Sequence, residues 1–312
     1  MRNRFVVLIL LCVFCIAIYL FSFLGDNFQF ALKERFLTLV AIIVVSVSIS
    51  ISTLIFQTIT QNKILTPSII GFDSLYIMIQ AFLMFIFGYS NIYIQNPQIN
   101  FLISIICMII FTLCFYKILF KENRNIYLIL LLGLIFGTFF SSLSLFFEVL
   151  IDPDEFIVVQ GRIFASFNNI NFEVLLWSLI LLFIVLCFIF KYFKYLDILS
   201  LDKDSAISLG VPFYILVKKF MIIIAILVSI STALVGPITF LGLLIVNISY
   251  QLFNTHRHKI LILTGILLSI ITLVGGTYLV SKIFEFNTTI SVLINFIGGI
   301  YFIYLVLKGN KI

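Results

Sequence analysis

Apolar runs long enough to cross a bilayer follow one another along almost the whole chain, and this repetition leaves one class of fold. They cover approximately residues 5–24, 36–60, 68–87, 99–117, 126–150, 174–190, 260–280 and 290–307, with an uncharged stretch of thirty-three residues from Met221 to Phe253. A spanning helix takes about 20 apolar residues. In hydrocarbon no water completes the backbone's hydrogen bonds, and a helix satisfies its own amides and carbonyls. Only 10% of the residues are charged, against about 25% in soluble domains. The bilayer is therefore the expected solvent, and the connections are too short for a separate soluble domain. No GxxxxGK[ST] stretch offers a phosphate-binding loop. The expectation is one all-α transmembrane domain over 1–312, powered by a partner or an ion gradient. The first run exceeds the roughly 7–15 residues of a signal-peptide core and has no A-x-A site after it, so it reads as a retained helix.

The stretch Met221–Phe253 is too long for one span and short for two, but Gly236-Pro237 sits in its middle. Proline removes an amide donor and glycine loosens the backbone, so the run is expected to break there. Two spans bring the total to about ten. Basic residues collect on the cytoplasmic side of alternate loops, and ten spans with both termini cytoplasmic place fifteen of the nineteen lysines and arginines inside. Lys33, Arg35, Arg162 and Lys282 remain outside. The net charge of +6 thus reads as membrane orientation and not as a nucleic-acid surface. The longest outer connection, Glu148–Glu173, carries Asp152, Pro153, Asp154 and Glu155, which suit an ordered turn or short surface helix. The longest inner connection is Lys191–Lys219.

Within that inner connection, Asp202-Lys-Asp-Ser-Ala-Ile-Ser-Leu-Gly-Val-Pro212 has the punctuation of a very short helix. Asp202 is placed as N-cap, Gly210 as the C-terminal stop, and Pro212 two residues beyond. So short a helix is marginal alone, and gains stability by laying Ala206, Ile207 and Leu209 against something. Spacing leaves two readings open: a connector folded onto its own membrane domain, or a contact with another protein.

Ala206-Ile-Ser-Leu-Gly-Val211 resembles the cytoplasmic coupling loop of the iron-siderophore and cobalamin class of bacterial ABC importer permeases. Four other segments match that family in its order. Gln57-Thr-Ile-Thr-Gln-Asn62-Lys-Ile-Leu-Thr-Pro67-Ser-Ile-Ile-Gly71 is similar to the turn from its second helix to its third. Gly236-Pro-Ile-Thr-Phe-Leu-Gly-Leu243 is similar to the segment after its seventh. Leu132-Gly133 with Gly137, Ser141 and Ser142 resembles its fifth helix, and Ile297-Gly298-Gly299 through Lys308 its closing segment. Each motif alone is unspecific; five in register are not. Lys63, Val246-Asn247, Asn287 and Thr289 depart from the pattern, which bears on substrate subgroup. The wording from Leu65 to Leu75 looks most like permeases of the petrobactin and catecholate type.

The resemblance implies a type II ABC importer permease in the bacterial cytoplasmic (inner) membrane. It implies a second permease, commonly a different one, two ATPase subunits that hold the ATP and magnesium, and an extracytoplasmic siderophore-binding protein. This chain itself would bind no cofactor or metal, because the siderophore already holds the iron. By the same resemblance the segment 197–216, with Asp202, Ala206, Ile207, Leu209 and Gly210, couples to the ATPase. Arg35 would dock the binding protein, with Lys33 beside it; Lys282 is added by position, since no family motif carries it. Gln57, Asn62, Pro67, Gly71, Gly236 and Pro237 would line the pathway or its gate.

Plainer readings stand beside these. Arg35 is equally a flank residue reaching for the membrane surface, and Gln57 and Asn62 can simply bond neighbouring backbone. Asp73, inside the third run, is either an intramembrane functional carboxylate or one favoured by a helix N-terminus. Ser46, Ser50 and Thr53 share a helix face and suit close packing or a polar pathway. His256 and His258 read as solvated loop histidines. An ion-coupled secondary transporter is the competing function; it calls for paired intramembrane charges, and Asp73 alone supplies little. An intramembrane enzyme needs convergent catalytic groups inside the spans, and the sequence offers none.

Overall fold

A computed structural model describes the chain apart from residues 1, 23–27, 90, 92–95, 120–125, 169, 202, 286–287 and 310–312. Its helices are α1 (Arg2–Phe21), α2 (Phe28–Thr60), α3 (Phe72–Phe87), α4 (Pro97–Leu119), α5 (Ile126–Leu150), α6 (Pro153–Ile163), α7 (Phe172–Leu199), α8 (Lys203–Ser208), α9 (Phe213–Val235), α10 (Leu241–Phe253), α11 (His258–Lys282) and α12 (Ile290–Gly309). One 3-10 turn, Ser68–Ile70, precedes α3. Seven of the helices are long and apolar enough to cross a membrane, and α3, α10 and α12 supply shorter apolar segments.

The hub is α2, which packs against α1, α7, α9, α10 and α11. Its small residues explain how: Ser46, Ser48, Ser50 and Ser52 are all buried. A side chain on Gly242 of α10 would strike Thr53, and one on Gly265 of α11 would touch Ser50 at 3.5 Å. The serine stripe is therefore packed between helices, the close approach that small residues permit.

Two helices run past the apolar limits. α2 begins at Phe28 and takes in Lys33, Glu34 and Arg35, while α7 continues to Leu199 beyond Lys191 and Lys194. Charges end a hydrophobic run but not a helix: α7 keeps an inward apolar edge, Ile189, Leu196 and Leu199, while its lysines point outward. Much of the expected inner connection 191–219 is thus helical. The outer connection holds α6, with Pro153 in its first turn, Asp154 and Glu155 at its positive end and Arg162 at its negative end, as the helix dipole favours.

α3 and α10 are the short ones, at sixteen and thirteen residues. At 1.5 Å per residue they reach about 24 and 20 Å, less than the ~30 Å hydrocarbon core. Each is preceded by chain outside the α-helices, residues 61–71 with the 3-10 turn and 236–240, held among other helices where irregular backbone at depth is tolerated.

Contacts sort the helix ends into two groups. At one end Arg4 Nη1 donates to the Leu252 carbonyl at 2.7 Å, Gln251 Nε2 to the Tyr301 hydroxyl at 3.0 Å, and Lys219 Nζ to the Tyr192 hydroxyl at 2.9 Å. At the other, Gln98 Nε2 reaches Glu173 at 2.8 Å and the Tyr89 amide reaches Glu155 at 2.7 Å. The basic cluster and α8 share the first end; Lys33, Arg35, Arg162 and Lys282 lie at the second.

Candidate functional site

The segment around α8 divides the expected contact trio. Gly210, at φ 77°, closes α8 in the left-handed conformation. The Val211 amide donates to the Ala206 carbonyl at 3.1 Å and the Gly210 amide to the Ile207 carbonyl at 2.9 Å. This is the doubled C-terminal closure in which the residue after the glycine meets the residue four positions before the glycine on the inner side. Ala206 and Val211 are buried accordingly, against the chain's own helices α7 and α9, whereas Ile207 and Leu209 are 45% and 62% exposed. Ala206 is thus not part of the outward face, because the closure turns it inward; the apolar surface left open is Ile207 and Leu209, with Leu201 close by in sequence. Asp202 lies outside the described residues.

The two helix breaks are braced by polar side chains. Gln57 Nε2 donates to the Lys63 carbonyl at 2.7 Å, and Asn247 Nδ2 donates to the same oxygen at 3.0 Å. Lys63 and Asn247, both departures from the family pattern, therefore meet. Asn62 accepts from the Ile64 amide at 2.9 Å. Pro67 is buried and leads into the 3-10 turn, which ends at Gly71 with φ 97°. That turn lies on Gly133 and Gly137 of α5: a side chain on Gly133 would come within 3.0 Å of the Ile70 backbone.

Gly236 (φ 96°) and Pro237 form the other break, where the Ser166 amide donates to the Val235 carbonyl at 2.9 Å. Thr239 Oγ1 donates to Asp73 at 2.9 Å, and Ser68 also bonds this carboxylate. Asp73 thus ties one break to the other and does not cap the free amides of α3.

Gln57 borders a cavity of about 290 Å3 at the basic end of the bundle with Thr58, Lys63, Tyr250 and His258. Gly236 borders one of about 580 Å3 at the other end with Tyr76, Gln160 and Arg162. Arg162 Nη1 donates to Gln80 at 2.7 Å, and Gln80 in turn bonds Asn100 and Ser104, each at 3.0 Å.

His258 overturns the reading of a solvated loop histidine. It opens α11, is 1% exposed, and bridges three helices. Its Nδ1 lies 2.6 Å from Asp197 Oδ1 of α7 and its Nε2 lies 2.8 Å from Thr58 Oγ1 of α2. In the neutral ring Nδ1–H donates to the carboxylate, while the Thr58 hydroxyl, with one proton to give, faces both Nε2 and the Leu54 carbonyl at 2.8 Å each. Asp197 stands in the last turn of α7, ahead of α8. The sequence holds no local signal for this, since the three residues are 61 and 200 positions apart. His256 is exposed. No group of His, Cys, Asp and Glu able to hold a metal occurs among the described residues.

At the opposite end Arg35 and Lys282 border a cavity of about 470 Å3 with Glu34, Thr38 and Tyr278. Lys33 and Lys282 are exposed. Arg35 Nη1 donates to the carbonyls of Tyr19, Leu20 and Ser22 at 2.9, 3.2 and 2.6 Å. It therefore closes the C-terminus of α1, whose last carbonyls have no helical partner. Arg35→Ala is expected to lower stability by about 1 kcal/mol, read as a lower melting temperature in detergent. Unchanged melting with weaker binding-protein affinity would instead make it a docking residue only.

The FecCD transport family matches residues 4–308. The petrobactin import system permease protein YclO of Bacillus subtilis is 50% identical over 100% of this chain and 99% of its own length. FatC, a petrobactin import permease of Bacillus anthracis, is 36% identical over 92% of this chain and 82% of its own. A second Bacillus subtilis petrobactin permease, YclN, is 25% identical over 99% of this chain and 98% of its own. The fold matches a metal-chelate type ABC transporter in an inward-facing conformation, with a TM-score of 0.84 over 99% of this chain and 100% of that one, at 22% identity.

Proposed function

Because the chain belongs to the FecCD transport family, a family of multi-pass membrane permeases, we propose that it is the petrobactin-type ferric siderophore permease of an ABC importer. The observation that carries this reading is the 50% identity to YclO along both whole chains. Seven long apolar helices and three shorter ones support ten spans in one domain, with both termini, the coupling segment and the basic cluster facing the cytoplasm. The membrane is then the bacterial inner membrane. YclO and YclN, both petrobactin permeases of one organism, favour a heterodimer with a different second permease. An ion-coupled transporter is disfavoured because Asp73, its candidate charge, is engaged by Thr239.

In this reading a binding protein delivers the ferric chelate outside, where Arg35, Lys33 and Lys282 lie, and two ATPases act inside. ATP and magnesium are bound by those partners; no cofactor is assigned to this chain. Ile207 and Leu209 enter a pocket on the ATPase, and Gly210 fixes the closure that presents them. The differential grip of the two ATPase states on this segment biases inward-open against outward-open forms. Gln57, Asn62, Pro67 and Gly71, with Gly236 and Pro237, are assigned to the gate: their hydrogen bonds and tight turns support two hinged breaks, linked through Asp73.

The test is uptake of radiolabelled ferric petrobactin in Bacillus subtilis cells lacking YclO and supplied with this chain. Restored uptake is expected; no uptake despite normal membrane levels would sink the substrate assignment. For coupling, the Ile207→Asp/Leu209→Asp variant is expected to keep its melting temperature, since both side chains are exposed, but to lose the co-purifying ATPase and all uptake. Retention of the ATPase would remove these residues from the contact.

A further inference from the structure

A groove of about 810 Å3 runs between α2, α7 and α11 at the basic end of the bundle. Its walls are apolar: Val47 of α2, Leu186 and Ile189 of α7, and Ile262 and Ile266 of α11. Its rim carries Lys191 and Lys194 of α7 and Lys259 of α11, all exposed, with Asp197 the one acidic group. Asp197 Oδ1 is held from the other side by the backbone amide and ring of His258, at 3.0 and 2.6 Å.

We propose that this groove binds one anionic phospholipid, its acyl chains along the apolar walls and its phosphate on Lys191, Lys194 and Lys259. Three observations select this occupant. The charge is complementary and confined to one end, where the headgroups of a leaflet lie; juxtamembrane lysines attract anionic lipid in this way. The depth fits: from Lys194 to Leu186 is about 12 Å at 1.5 Å per residue, most of the ~15 Å occupied by one leaflet's chains. The surroundings also fit lipid better than protein. The exposed face of α7 outside the groove includes Leu176, Trp177, Ile180, Phe183, Ile184 and Phe188, whose one polar atom is the indole nitrogen of Trp177, whereas the exposed side of α5 carries Thr138, Ser141 and Ser142.

The site lies against Asp197, where α7 passes into the coupling segment, so an occupied groove steadies the support on which α8 rests. The inference uses the inward orientation of the basic end, but not the identity of the transported chelate. Its test therefore reads lipid binding directly. The complex is purified from membranes, and its retained phosphatidylglycerol is counted by native mass spectrometry beside that of Lys191→Gln/Lys194→Gln/Lys259→Gln. A phosphatidylglycerol bearing a photoreactive acyl chain maps the position, with a phosphatidylcholine analogue as control. The expected result is labelling of α7 and α11 peptides by the anionic lipid in preference to phosphatidylcholine, falling about fivefold for each lysine removed. Equal labelling by both lipids, equal labelling of the variant, or cross-linking of these peptides to a partner subunit in place of lipid would each overturn it.

Discussion

Gly71→Ala is expected to abolish assembly of the folded permease, whereas Gly137→Ala, at the other side of the same contact, is expected to be tolerated. Gly71 sits at φ 97°, and a methyl group on it would lie 2.7 Å from the Cα and 2.8 Å from the amide nitrogen of Gly137. Both obstacles are backbone atoms of a packed helix, which cannot rotate aside. The left-handed conformation adds roughly 1–2 kcal/mol for any residue with a Cβ, and overpacking adds about 1–3 kcal/mol. A total near 3 kcal/mol is a large share of typical domain stability. From Gly137 the added methyl would meet Gly71 at 3.5 Å, an ordinary contact, and α5 would gain a better helix former. The measurement is the monodisperse fraction in mild detergent and its melting temperature. Gly275→Ala, with no neighbour within 4 Å, is the control expected to match the native chain. If Gly71→Ala also matches it, the turn does not seat on α5 as described.

The second large effect is expected at His258. Replacing it by Ala removes a buried ring that holds α7 to α2 and leaves a cavity, while the Thr58 hydroxyl keeps its bond to the Leu54 carbonyl. Cavity and lost bonds together cost about 2–3 kcal/mol; the Asp197 side chain, 51% exposed, recovers water and contributes little to that figure. If, as proposed, the segment 197–216 couples to the ATPase, the functional consequence exceeds the stability loss, because Asp197 anchors the end of α7 that leads into α8. Transport per ATP hydrolysed is expected to fall more steeply than the melting temperature accounts for. His258→Asn keeps a donor near the Nδ1 position and loses the reach to Thr58, so it should retain the α7 contact and be intermediate. An Ala variant that melts and transports as the native chain does would show that the Asp197–His258–Thr58 chain holds nothing.

Helix ends are legible where glycine or proline marks them. The break at Gly236-Pro237, the short helix ended by Gly210 and the surface helix opening at Pro153 all lie where backbone chemistry puts them. The limits of α2 and α7 were not legible, because Lys33–Arg35 and Lys191–Lys194 interrupt an apolar run without interrupting hydrogen bonding along the helix. Ile207 and Leu209 were named as a contact surface from the sequence, and they are open in the fold; Ala206 was named with them and is buried, since its direction depends on how the chain closes at Gly210.

Solvent, the approximate number of spans and the break at Gly236-Pro237 follow from the sequence by itself, because each rests on a local property: the cost of charge in hydrocarbon, the reach of about 20 residues, and the missing donor of proline. Arg35 capping α1, Asp73 joining the two breaks, and His258 buried between Asp197 and Thr58 are matters of tertiary structure. In each case the partner is supplied by a distant part of the chain, and only packing determines whether a polar side chain finds protein or water.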